Sequence, residues 1–136
     1  MITAVDTNVL LDVFGANQKY GAASAGALDR CAAEGSLVAS AVVWSETAAA
    51  FSEASAFQRA MRDLGVLFSA LTEATANRAA RRWRFYRPRG GRRDRITSDF
   101  LIGAHALERA ERLLTRDRGF FRQYFSELQV VDPSLR

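Results

Sequence analysis

Short apolar runs alternate along the chain with longer segments whose apolar residues recur at helical spacing. Ile2-Thr3-Ala4-Val5 predicts a buried strand that stops at Asp6-Thr7-Asn8, three residues suited to capping a helix. Residues 9–14 predict a short helix and residues 20–34 a second, with Ala25, Leu28 and Ala32 on one stripe and Gly35 past its end. Residues 37–39 predict a second strand, after which Ser40 can cap a helix running to about Phe51. A helix over residues 54–64 should stop at Gly65, and residues 66–68 predict a third strand. Thr72 opens a long helix that ends at Arg87, before Pro88. Residues 88–95 form a basic, glycine-containing loop, and Thr97 or Ser98 caps a helix to about Arg112. Residues 113–115 predict a fourth strand, 119–125 a short helix and 129–131 a last strand. Strands that alternate with helices in this way specify an α/β fold, with a mostly parallel sheet covered on both faces.

A chain of 136 residues predicts one domain over residues 1–136. Composition excludes several chemistries. Cys31 is the only cysteine, so no internal disulfide or CxxC pair exists. His105 is the only histidine, which removes every multi-histidine metal site. Lys19 is the only lysine and no GxxxxGK[ST] occurs, so the chain is not a P-loop enzyme. No run of 18 apolar residues is present, so no membrane association is expected. Asp6 and Asp12 fall early, without a basic cluster. That predicts a cytoplasmic protein. The net charge of +4 permits an anionic partner such as nucleic acid.

The acids carry the candidate chemistry. In an open parallel sheet, ligands bind outside the carboxyl ends of the strands. Asp6 follows the first strand directly, and Asp117 lies two residues past Thr115. Each could equally be a helix cap or turn residue. Glu46 shares a helix face with Val42 and Ala49. A carboxylate on the stripe facing the sheet is costly unless it is paired, bound to a cation or placed at the sheet's rim. Asp99 opens its helix, either complementing the helix dipole or serving as a rigid metal ligand. Gly103, one turn on, allows close packing. Bare carboxylates about 5 Å apart would repel by roughly 3 kcal/mol per pair at an effective dielectric of 20. An all-oxygen site would suit Mg²⁺ or Mn²⁺, and such ions assist phosphodiester hydrolysis.

Four segments together resemble the PIN-domain ribonucleases, specifically VapC-type toxins of bacterial toxin–antitoxin pairs. They are Val5-Asp6-Thr7-Asn8-Val9-Leu10-Leu11-Asp12, Trp44-Ser45-Glu46, the run from Thr97 through Asp99 and Gly103 to Leu107, and the run from Leu113 through Thr115 and Asp117 to Phe120. The resemblance implies a three-layer α/β/α sandwich around four or five mostly parallel strands. It implies an endoribonuclease that uses one or two Mg²⁺ or Mn²⁺ ions, a homodimer, an RNA substrate and inhibition by a VapB-like antitoxin. Asp6, Glu46, Asp99 and Asp117 fall on the family's acidic quartet, with Asn8 and Thr115 matching polar positions beside it. Asp12, six residues past Asp6, is expected at the surface. Two alternatives remain open: a PIN-fold RNA-binding module without catalysis, and a PIN nuclease of RNA maturation or DNA without an antitoxin.

Other readings fail on particular residues. Asp6-Thr7-Asn8 lacks the second aspartate and downstream lysine of aspartate-nucleophile phosphatases, and receiver domains fail on the same lysine. Cys31 and His105 read as packing residues. Nine arginines lie between Arg78 and Arg95. Trp83 and Tyr86 share a helical stripe expected in the core, with Arg78, Arg81 and Arg82 opposite, toward solvent or a partner. Arg89, Arg92, Arg93 and Arg95 lead into Asp99 and are the candidate RNA-binding residues.

Overall fold

The computed structural model describes residues 1–86 and 97–134. The loop expected over residues 88–95, with Arg89, Arg92, Arg93 and Arg95, lies outside the described residues. The elements in chain order are β1 (Ile2–Val5), α1 (Thr7–Phe14), α2 (Gly21–Glu34), β2 (Ser36–Ser40), α3 (Ala41–Ala49), α4 (Ala54–Leu64), β3 (Val66–Ser69), α5 (Glu73–Tyr86), α6 (Ser98–Arg109), β4 (Arg112–Leu114), α7 (Arg118–Tyr124) and β5 (Val130–Val131). Local chemistry sets several boundaries. The Ser40 hydroxyl accepts from the Val43 amide at 3.3 Å and starts α3. Thr72 does the same for Thr75 at 3.1 Å and starts α5. Gly65 ends α4 at φ 74°, a left-handed conformation that glycine adopts without steric cost.

The strands form one parallel sheet in the order β3-β2-β1-β4-β5. Successive side chains of a strand point to opposite faces. Thr3, Ala4 and Val5 of the central strand are all buried, so helices cover both faces and the molecule is a three-layer α/β/α sandwich. The core runs through β1, α1, α6 and β4 and continues into Phe121 and Phe125. Cys31 and His105 are packing residues as expected. The buried His105 bonds Ser69 Oγ at 2.8 Å. Burial, reinforced by Arg109, holds its imidazole down to about 4.

Two expectations need correction. Helix α6 ends at Arg109, three residues short of Arg112, because Arg112 opens β4 opposite Thr3. Its Nε donates to Thr3 Oγ1 at 2.8 Å, and its guanidinium pairs with Glu34 at 3.2 Å. Arg78 and Arg82 do not simply face solvent. Arg78 pairs with Glu108 at 2.6 Å, joining α5 to α6. Arg82 pairs with Glu127, donates to the Tyr124 carbonyl at 2.8 Å and lies over the Phe125 ring. Long arginine stems reach across helix seams that the periodicity of one helix does not reveal. Trp83 and Tyr86 pack against the core as their stripe predicts.

Candidate functional site

The chain places β2 and β3 on one side of β1 and β4 and β5 on the other. The strand order therefore reverses between β1 and β4, the position at which an open α/β sheet leaves a crevice at the strands' carboxyl ends. Asp6 follows β1 and Asp117 follows β4 by three residues, so both stand at this switch point.

Asp6 caps α1 and is only 4% exposed. Its Oδ1 accepts from the Thr7 amide at 2.7 Å. Its Oδ2 accepts from the Thr115 hydroxyl at 2.7 Å and from Asn8 Nδ2 at 3.4 Å. Burial pushes the Asp6 carboxyl up to about 6, and the charges of Asp99 and Glu46 add to the rise. The hydrogen bonds from Thr115 and Thr7 oppose it. Thr115 Oγ1 also accepts from the Asp117 amide at 3.0 Å and from Asn8 Nδ2 at 3.3 Å. One buried hydroxyl thus ties β1, α1 and the turn after β4 together.

Asp99 lies in the first turn of α6. Partial burial, then Asp117 and Glu46, raise its carboxyl above the ordinary value. These repulsions link Asp6, Glu46, Asp99 and Asp117 into one electrostatic cluster. None of the four is ion-paired among the described residues.

Of the placements open to Glu46, the rim of the sheet is the one observed, and the inward stripe of α3 is not the one expected. The stripe of α3 that faces inward carries Val43 and Thr47, while Glu46 and Ala49 are exposed. Glu46 therefore sits at the rim and pays little desolvation. Its Oε1 accepts from the Thr7 hydroxyl at 2.7 Å and its Oε2 from the Ser98 hydroxyl at 3.3 Å. Thr7 and Ser98 were read from the sequence only as capping residues. Their adjacency to Asp6 and Asp99 was the available signal, and side-chain direction decided the role.

Asp12 is a second correction. It is 3% exposed, not at the surface. It accepts from Arg116 Nε at 2.7 Å, Arg116 Nη2 at 3.1 Å and Ser24 Oγ at 2.9 Å. Its spacing from Asp6 is the wrong comparison: it lies four residues after Asn8 and shares that residue's face of α1.

Among the described residues, no three acids form a closed metal-ligand cluster. The donors are nonetheless all oxygen, burial and then repulsion from the neighbouring acids raise Asp6 and Asp99 above the ordinary carboxylate value, and none of the four is ion-paired among the described residues. That fits Mg²⁺, which retains several waters and takes one or two carboxylates directly. Asp6, Asp99 and Asp117 are the residues that would hold such an ion, with Glu46 at the rim.

The fold has known counterparts. The chain is similar in structure to VapBC2 from Rickettsia felis bound to a DNA fragment from their promoter, with a TM-score of 0.73 at 17% identity over 97% of this chain and 98% of the other. VapBC-1 from nontypeable Haemophilus influenzae gives 0.72 at 22% identity over 99% and 100%. A toxin–antitoxin complex from Klebsiella pneumoniae gives 0.65 at 23% identity over 96% and 97%. No curated protein sequence matches. At these identities the likeness establishes the fold. The PIN domain family model matches residues 3–126, from β1 past α7, and spans all four acidic positions at the crevice. The chain belongs to the PIN domain family.

Proposed function

We propose that this chain is a Mg²⁺- or Mn²⁺-dependent endoribonuclease and the toxin of a VapBC-type toxin–antitoxin pair. The observation that carries the reading is Asp6, buried at the switch point with its carboxyl raised to about 6 and with Asp99 and Glu46 acting on it. A module that only bound RNA would gain nothing from uncompensated acids facing phosphates. Asp6 is oriented by three donors and offers a fixed carboxylate at the crevice floor. Asp99 and Asp117 offer theirs from the starts of α6 and α7, and Glu46 is steadied from both sides by hydroxyls. Asn8 and Thr115 hold Asp6 in place. A bound divalent ion would supply Lewis acidity toward the phosphoryl group and make the attacking water more acidic.

The partner in this reading is a small antitoxin, as in the VapBC complexes of similar fold. A cavity of about 320 Å³, lined by Leu11, Phe14 and Phe51, offers an apolar seat for an amphipathic helix. A homodimer and a cytoplasmic location belong to the same reading.

The test is cleavage of labelled RNA by the purified protein with Mg²⁺ or Mn²⁺. Asp6→Asn and Asp99→Asn should fold and lose cleavage by at least a hundredfold, and EDTA should abolish it in the parent. Full activity in EDTA, or unchanged cleavage by both variants, would overturn the metal mechanism. RNA binding without cleavage by the metal-loaded parent would favour the non-catalytic module.

A further inference from the structure

Residue 116 is anchored to α1 twice. Its amide donates to Asn8 Oδ1 at 3.2 Å, and its guanidinium grips Asp12 through both Nε and Nη2. Asn8 and Asp12 are one helical turn apart, so a single face of α1 receives both the backbone and the side chain of Arg116. The Tyr20 ring lies against the guanidinium, 3.9 Å from Cζ to centroid, and Ser24 Oγ donates to Asp12 Oδ2, the oxygen that also accepts from Arg116 Nε. The neighbours of Arg116 in the chain are Thr115 and Asp117, both at the crevice. Asn8, which holds the Arg116 amide, also donates to Asp6 and Thr115.

The pair is buried at Asp12 and partly exposed at Arg116, and such a pair is a weak source of net stability because desolvation and solvent screening offset its attraction. A bidentate pair is a strong source of geometry, because the planar fork admits one arrangement. We propose that the Asp12–Arg116 pair, covered by Tyr20, is a positioning device that sets the turn after β4. It holds Thr115 and Asp117 at the distance from Asp6 that the candidate site needs. Neither residue touches the reacting atoms; both act through Thr115 and Asp117. Arg116 therefore sits among the acids without neutralising them, since its charge is spent on Asp12 behind the site.

The inference rests on the nuclease reading for its catalytic consequence, but the positioning itself can be measured without metal or RNA. Arg116→Ala would leave the buried Asp12 carboxylate without its cation and lower stability, so the informative variant is the double substitution Asp12→Leu with Arg116→Met. Apolar residues of similar volume replace a buried pair at little cost in stability. Hydrogen exchange should show the amides of residues 116 and 117 exchanging at least tenfold faster than in the parent, with β1 and β4 amides unchanged. Mn²⁺ affinity, read by electron paramagnetic resonance of the free ion, should fall about tenfold or more, in the range typical of residues that orient ligands. The rate constant kcat should fall with it while KM for RNA changes little. Arg116→Lys, which keeps the charge and loses the fork, should show the same pattern more weakly. A double variant that melts like the parent and keeps the parent's exchange rates at residues 116 and 117 would overturn the positioning role. A parent that neither binds Mn²⁺ nor cleaves RNA would overturn the nuclease reading instead, and the exchange data would still decide the positioning.

Discussion

Asp6 makes the folded state sensitive to pH in an unusual direction for an aspartate. Its carboxyl titrates near 6 in the fold against an ordinary 3.8, so between those values the folded state holds more protons than the unfolded one. Stability therefore falls as pH rises through that window, by about 3 kcal/mol in total. His105, held down to about 4, acts in the opposite sense, since its contribution is lost as pH falls from 6.5. The two overlap, so the informative quantity is the difference between the parent and Asp6→Asn, in which His105 cancels. In EDTA the variant should melt near the parent at pH 4 and several degrees higher at pH 7.5, the gap opening between pH 4 and 6. Asparagine also caps helices well, so α1 should not suffer. A gap independent of pH would mean that burial does not raise the Asp6 carboxyl above its ordinary value. Mg²⁺ at pH 7.5 should raise the melting temperature of the parent and leave that of the variant unchanged.

Helix α6 carries Asp99 at one end and meets the aromatic cluster at the other face of its first turns. Phe100 stacks with Phe120, Tyr124, Phe125 and Tyr86 at centroid distances between 5.2 and 6.1 Å. Gly103 is the point of closest approach: a Cβ there would stand 2.7 Å from two carbons of the Phe125 ring. Phe125 is fully buried, so its ring can yield only by displacing the core around it. Gly103→Ala gains about 1 kcal/mol in helix propensity and loses about 1–3 kcal/mol to overpacking. Its melting temperature should drop, and pairing it with Phe125→Leu should recover part of the loss. A single variant as stable as the parent would show that the contact relaxes freely. The same element explains why Asp99 is held firmly: its helix is pinned one turn later against a core that does not yield.

For the whole molecule, the electrostatic problem is the approach of a polyanion to a cluster of acids. Five of the described arginines, Arg78, Arg82, Arg112, Arg116 and Arg118, have their charge engaged in ion pairs. The net charge of +4 leaves residues 88–95 as the basic segment nearest to Asp99 in the chain. Neutralising Arg92, Arg93 and Arg95 together should weaken RNA binding and lower the slope of log K against log salt by about 0.7 per lost phosphate contact. Cleavage-site choice should persist, since phosphate contacts position a strand without reading its bases. Equal affinity and slope in the triple variant would assign RNA entry to another surface.

The alternation of apolar runs and helical stripes was enough to specify the α/β class and every strand, because the central strands are buried on both faces and the edge strand β3 keeps an apolar run even though Leu67 and Phe68 are exposed. Capping chemistry at Ser40, Thr72 and Gly65 was local and therefore legible too. The four acids were also readable as candidates, since each follows a strand or opens or lines a helix. What only the tertiary structure decided were relations across the sheet. The switch between β1 and β4 depends on strand order, which no local pattern encodes. Glu46 lies at the rim because α3 turns Val43 and Thr47 inward, a rotation of one residue that periodicity with mixed neighbours does not resolve. Asp12 is buried because Arg116, 104 residues away, comes to rest on its face of α1. Long-range pairing of this kind arises only when the sheet brings the two ends of the chain side by side.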